Sequence, residues 1–421
     1  MATGTKPADR STNKWRWYVC SILFAATVLN YLDRQTMSVC AKMIKEDFSL
    51  SNEEVGHLHA AFRGTYAVAH VIAGLIADRF PVRFVYAGAV AIWSAAGAAA
   101  AMATGSRSFG WTRSALGFGE AFNWPCALRV TANIMRPEDR ALANGFFASG
   151  AAVGAMLAPL VIMPIALAWG WRVAFVVVGA LGALWIPLWL SVTHRLDSLQ
   201  TAEARAHQQA PRQSMAAQLG AIVRNPGFWL LMLFAGTINP CSYIIADWVP
   251  LYMHEQRGFD LLSAAIIATP MFLGFDLGNI AGGALTKYLS HRGWTMRQAR
   301  GVAVAVGAIL IVPAAATSYV HNAYVGITLL VLAATGIAWI SANYLAALQE
   351  VSFGNVALTA GILGGFGNLV SWKINPLIGQ YVDRTGNYHL VFVALGVMPL
   401  VGLAAMLLFD VVTARRDAHA G

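Results

Sequence analysis

An aspartate and an arginine stand side by side in NYLDRQ, residues 30–35, inside an apolar run that begins CSILFAATVL and continues TMSVC. A charge at the centre of a membrane-spanning helix costs about 2.5–3.5 kcal/mol on insertion scales, so Asp33 and Arg34 need a task. Helical neighbours one residue apart do not face each other; they diverge by about 100°, and each requires a partner on another helix. Arg113 and Glu120 are seven residues apart, which places them on one helix face two turns distant. Together the four charges sum to zero, the least costly arrangement for a low-dielectric site. Ion pairs that merely clamp two helices are the structural alternative. Buried pairs stabilise poorly, which favours a role in transport.

A second pattern lies downstream. His59, Arg63, Tyr66 and His70 recur at i, i+4, i+7 and i+11, one stripe of a 3.6-residue helix. A cationic stripe on an apolar helix must face a water-filled path or the bundle interior, and an anion is its natural guest. For His59 and His70 a hydrogen-bonded packing role is the alternative. The second half of the chain is polar rather than charged: Asn239 and Tyr243 flank Pro240, Asn343 adjoins Tyr344, and Asn368, Trp372 and Asn375 form a stripe. Amides and phenols suit a polyhydroxylated ligand, whose hydroxyls need both donors and acceptors. Trp372 would stack on a sugar ring or serve as packing. Lys373 is an unmatched cation, with Asp247 or Asp276 as its expected partner.

The elements that must hold these groups follow from composition. Of 421 residues, 57% are hydrophobic and 12% charged, far below the roughly 25% charge of soluble domains. The chain reads as all-α integral membrane protein with twelve spans of about 20 residues: 15–38, 54–77, 84–104, 110–134, 141–166, 172–193, 226–253, 262–288, 299–318, 323–350, 356–382 and 388–413. They divide into two six-helix bundles, 15–193 and 226–413, joined by a polar linker, 194–225, and flanked by short termini, 1–14 and 414–421. With both termini and the linker in the cytoplasm, the inside segments hold 18 lysines and arginines and the outside loops 6, as the positive-inside rule requires. GLIADRFPVR (74–83) and GALTKYLSHR (283–292) occupy corresponding turns of the two halves. Such repeats around a midplane site are the plan of alternating-access carriers. The excess of +9 comes from scattered single residues, so nucleic acid is not expected as a partner. The four cysteines have no metal or redox spacing. No nucleophile–base set, metal cluster or phosphate loop appears, so an enzyme, a metal or a cofactor is not expected.

The six-plus-six plan, the GLIADR loop and the arginine–GE element of span four (Arg113, Gly119, Glu120) resemble the major facilitator superfamily. NYLDR, Tyr66 and GEAFNWP are similar to its anion:cation symporter family, and DWVPLY (247–252), RGF (257–259) and DLGNIAGG (276–283) resemble the hexuronate branch. The resemblance implies that Arg34 and Tyr66 bind substrate, that Asp33 and Glu120 carry protons with Arg113 as partner, and that Gly74, Asp78 and Arg79 form a cytoplasmic gating loop. Asn30, Arg63, His70, Asn239, Tyr243, Asn343, Asn368 and Trp372 complete the expected substrate site. The sequence departs from the family in two places: ASGAA (148–152) leaves only Ser149 polar in span five, and His70 stands where relatives often carry glutamine.

The expectation is therefore proton-coupled symport of a small carboxylated sugar acid, hexuronate or aldonate, by a monomer in the bacterial inner membrane, with protons and membrane lipid as its other partners. A facilitative or exchange carrier of another organic anion is the alternative, followed by a drug exporter.

Overall fold

The computed structural model describes the backbone of residues 7–135, 137–195, 215–351 and 356–420, and side chains within 14–77, 79–135, 143–194, 219–344, 347–348 and 358–412. Most of the linker (196–214), the extreme termini and the side chain of Asp78 lie outside the described residues.

Within them the regular structure is helical, and a helical segment occupies each expected span. Span one is Pro7–Val39, followed by a short helix, Ala41–Asp47; spans two and three are Asn52–Arg79 and Val82–Ala100. Spans five and six are Pro137–Trp169 and Trp171–Val192, span seven Pro226–Glu255, and span nine Met296–Ile311 with a 3-10 turn beyond it. Spans ten, eleven and twelve are Ala323–Val351, Val356–Thr385 and His389–Ala420. Nine of these helical segments are long and apolar enough to cross a membrane. The three that miss are spans one, four and eleven.

Local chemistry sets the ends. Ser51 and Glu54 form a reciprocal capping box that starts span two, and Thr295 with Gln298 does the same for span nine. Span four is not the continuous helix expected; it breaks between Ser106–Glu120 and Asn123–Ile134. Pro125 has no N–H to return to the Ala121 carbonyl, and its ring crowds that group. The chain answers with a tightened turn in which Phe122 N–H donates to Gly119 O at 3.3 Å. Glu120 consequently sits at the break, buried completely. Pro270 acts in the same way on span eight, which is split into Leu261–Ile266 and Thr269–His291.

Each half has its own apolar core, one around Tyr86, Trp93, Trp185 and Trp189, the other around Phe234, Trp248, Tyr252 and Phe409. The halves meet chiefly along spans two and eleven. Gly56 lies on the backbone of Asn375 and Pro376, and Gly379 on that of Asn52 and Glu53, so closely that neither position has room for a Cβ. Further along the same face, Ala67 still meets Gly365, yet Gly74 meets no described atom within 4 Å. The halves are thus pressed together at the Asn52–Thr385 end and part toward the Arg79 end.

Candidate functional site

Span one delivers Arg34 to a box of aromatic faces. Its guanidinium carbon is 4.7 Å from the Tyr31 ring centroid, 5.0 Å from Tyr66 and 5.2 Å from Phe62. Nε donates a 3.0 Å hydrogen bond to Glu120 Oε2 across from span four. Nη2 lies 3.0 Å from the same oxygen, but off line, and donates no hydrogen bond. Glu120 Oε1 has no protein partner either. The pair is therefore a one-armed contact, with hydrogen-bonding capacity left on both members.

Asp33 points elsewhere, as helix geometry requires. Its carboxylate lies against Gly97 of span three, with Oδ1 2.8 Å from where a Cβ would be, and neither oxygen has a hydrogen-bond partner. The expected pairing of Asp33 with Arg113 is corrected: no ion pair joins them among the described residues. Arg113 is buried at 2% exposure, its Nε and Nη1 unpartnered, its guanidinium carbon 4.8 Å from the Phe62 centroid. Spans two and four approach closely enough for this because Gly117 packs on the Phe62 carbonyl and Thr65.

Arg63 crosses between the halves. Its Nη2 donates to both oxygens of Asp247 in span seven, each at 3.0 Å, and its guanidinium carbon stacks 3.6 Å from the Tyr243 centroid. His59 Nδ1 is 3.7 Å from Asp247 Oδ1. Nearer the closed end, Lys45 Nζ meets Glu255 at 2.6 Å, and the Asn52 and Glu53 amides donate to the Asp383 carboxylate at 2.9 and 2.8 Å. Asp247 is a site residue that sequence reasoning assigned to another cation, Lys373. The signal was present in the i, i+4 spacing of His59 and Arg63, a cationic face that needs an anion opposite.

Tyr66 and His70 do share a face with Arg34: the two rings stack at 5.3 Å and 20°, and His70 Nδ1 is unpartnered. Asn30, one turn before Arg34, is fully buried, and neither amide atom has a partner. Asn239 packs on Gly367 at the contact of spans seven and eleven. Asn368 donates to the Gly364 carbonyl at 3.0 Å, leaving Oδ1 unpartnered. Asn375 accepts from Trp248 Nε1 at 2.7 Å and ties spans seven and eleven.

Several expected site residues lie apart from this cluster. Asn343 accepts from the Thr286 hydroxyl at 2.6 Å and donates to the Trp339 carbonyl at 3.1 Å; its polar atoms are spent joining spans eight and ten. Tyr344 stacks on Phe234 at 4.9 Å. Trp372 is 38% exposed and packs on Gly64 of span two. Lys373 is corrected too: its ammonium lies 4.3 Å from the Trp372 ring, in register with exposed Leu369 and Leu377 on the outer face of span eleven. Neither aspartate pairs with it among the described residues. Gly74 is open and Arg79 exposed at the parted end of span two.

The buried set thus holds Arg34, Arg63 and Arg113 against Asp33, Glu120 and Asp247. The formal charges of these six groups sum to zero, and removing one member of a buried pair would leave an uncompensated charge.

Comparison with known proteins identifies the family and the fold. The hexuronate transporter of Escherichia coli (strain K12) is 29% identical over 398 residues, covering 92% of this chain and 92% of that protein. The probable L-galactonate transporter of the same strain is 27% identical, covering 91% and 87%. The crystal structure of a bacterial homolog of the human lysosomal transporter Spinster, inward-facing and unoccupied, matches with a TM-score of 0.72 at 22% identity, covering 98% of this chain and 96% of that one; it shares the fold. The sequence model of the Major Facilitator Superfamily matches residues 23–371. This multi-pass membrane protein, a transporter and not an enzyme, belongs to the Major Facilitator Superfamily.

Proposed function

We propose that the protein is a proton-coupled symporter of a small sugar acid, a hexuronate or an aldonate, working by alternating access. The observation that carries this reading is the half-used Arg34–Glu120 pair. Arg34 keeps an Nη edge free for a substrate carboxylate, while Glu120 is the protein's own carboxylate that the substrate would displace. The relatives named as hexuronate and L-galactonate transporters support the substrate class. The unpartnered amide of Asn30 and the unpartnered Oδ1 of Asn368 suit its hydroxyls.

In this reading the bundles 15–193 and 226–413 rock against each other as units in the bacterial inner membrane, with both termini and the linker cytoplasmic and the carrier acting as a monomer. The closed end near Asn52 then faces outward, the parted end near Arg79 faces the cytoplasm, and the state is inward-facing. Uptake of labelled galacturonate, galactonate and glucarate into proteoliposomes, with and without an imposed proton gradient, tests the whole proposal. Gradient-independent uptake of every sugar acid would remove the coupling.

Two narrower outcomes follow. Tyr66→Phe removes a hydroxyl but keeps the ring under Arg34. If the hydroxyl bonds the anion, affinity falls by about 1.5–3 kcal/mol with folding intact; calorimetry showing unchanged affinity would make Tyr66 a packing residue. Asp247→Asn leaves the buried guanidinium of Arg63 without its counter-charge, a loss of about 3–5 kcal/mol to the closed contact. Spin labels at exposed Glu46 and Arg384, one in each half, are expected to move apart in this variant.

A further inference from the structure

Three cations converge on one ring. The guanidinium carbons of Arg34, Arg63 and Arg113, from three different helices, lie 5.2, 5.4 and 4.8 Å from the centroid of Phe62. The ring itself is 1% exposed and stacks on Tyr66 at 5.7 Å and 29°. Like charges gathered this closely in a low-dielectric interior repel strongly. Two of the three have carboxylates, Glu120 for Arg34 and Asp247 for Arg63. Arg113 has no ion pair among the described residues, and Phe62 is the aromatic face it meets.

A phenyl face carries negative quadrupole charge and attracts a cation without neutralising it. Unlike a carboxylate, the ring attracts the cation without consuming its N–H donors, and Arg34 Nη2 and Arg113 Nε and Nη1 have no hydrogen-bond partner. We propose that Phe62 is a positioning residue for anion binding: its ring holds Arg34 and Arg113, which reach it from two other helices, and leaves N–H groups of both to the substrate carboxylate and the coupling carboxylates, while Arg63, the next residue of its own helix, is held by Asp247. An aliphatic side chain of similar volume would fill the space but supply no such attraction. The inference rests on the anion-binding reading of Arg34 given above.

Graded fluorination tests it. Replacing Phe62 with 4-fluoro-, 3,5-difluoro- and 3,4,5-trifluorophenylalanine drains the ring's negative face while barely changing its size. Two readouts are taken on the purified full-length protein: the dissociation constant for galacturonate, and the unfolding temperature without ligand. Attraction by the ring predicts a stepwise loss in both, reaching roughly tenfold in affinity for the trifluoro ring, the scale of a desolvated cation–π contact. Phe62→Leu is expected to fall at or beyond the end of that series. A flat response of both readouts across the series, or Phe62→Leu binding as wild type does, would overturn the proposal and leave Phe62 as packing. If the wild-type protein binds no sugar acid, the functional reading falls, while the slope of the ligand-free unfolding temperature still decides the role of the ring.

Discussion

Glu120→Gln in proteoliposomes is expected to exchange labelled sugar acid across the membrane yet fail to accumulate it against a proton gradient. The variant keeps the shape of the side chain and an oxygen that accepts from Arg34 Nε, which in the wild type donates at 3.0 Å. What it loses is the ability to become charged and to bind a proton. In the proposed mechanism a substrate carboxylate arriving at Arg34 takes the counter-charge from Glu120, and a buried carboxylate left unpaired takes up a proton rather than remain an isolated anion. Substrate and proton therefore favour each other's binding, and the linkage is reciprocal. A permanently neutral residue cuts that link but spares the path. Asp33, also buried and without a hydrogen-bond partner, would be the second proton site in this proposal. Two protons with a monoanion would carry one net charge inward, so uptake should gain about 2.3 kcal/mol of driving force per 100 mV. Full uphill accumulation by Glu120→Gln would remove this residue from coupling, and uptake indifferent to membrane potential would leave at most one proton per anion.

Arg34→Lys should lose most substrate binding although it keeps the charge. The guanidinium lies among the rings of Tyr31, Phe62 and Tyr66, and one of its nitrogens already holds Glu120. A lysine ammonium is a point charge that cannot hold Glu120 and still offer a planar fork to an incoming carboxylate. It would pair with Glu120 and leave the substrate carboxylate at most a single-point donor in place of a planar edge. Hydrogen bonds to charged groups contribute about 1.5–3 kcal/mol each, so the expected loss is about tenfold to a hundredfold in affinity, read by calorimetry against a panel of sugar acids. Undiminished affinity in Arg34→Lys would end the assignment of this residue to the substrate carboxylate.

Which charges lie within the membrane was legible from the chain alone, because an ionised group in an apolar run is conspicuous and costly wherever the run packs. Helix periodicity also separated Asp33 from Arg34 and placed Tyr66 and His70 on one face, both of which depend only on 3.6 residues per turn. The Arg34–Glu120 contact could be anticipated for a similar reason: net charge and spacing left few partners for a buried arginine. Pairing across the two halves was a different matter. Asp247 was expected near Lys373 and instead binds Arg63 and His59, since which faces of spans two, seven and eleven meet is set by where glycines such as Gly56 and Gly379 allow backbones to touch. The same contacts turn Trp372 and Lys373 away from the cluster.

Local sequence, then, determined the elements: apolar length gave the spans, caps and prolines set some of their ends, and periodicity gave the faces. The break at Pro125 that sets Glu120 at a helix end was written in the chain, although it was hidden within an apolar run. Only the tertiary structure decided which face met which, that Asn343 is spent between helices, and that Arg34 and Arg113 from two other helices come to lie 5.2 and 4.8 Å from the Phe62 ring. The physical reason is that a helix carries its own backbone hydrogen bonds and so can be read residue by residue, whereas helix–helix contact inside a membrane rests on close packing of small residues, and that is a property of two surfaces at once.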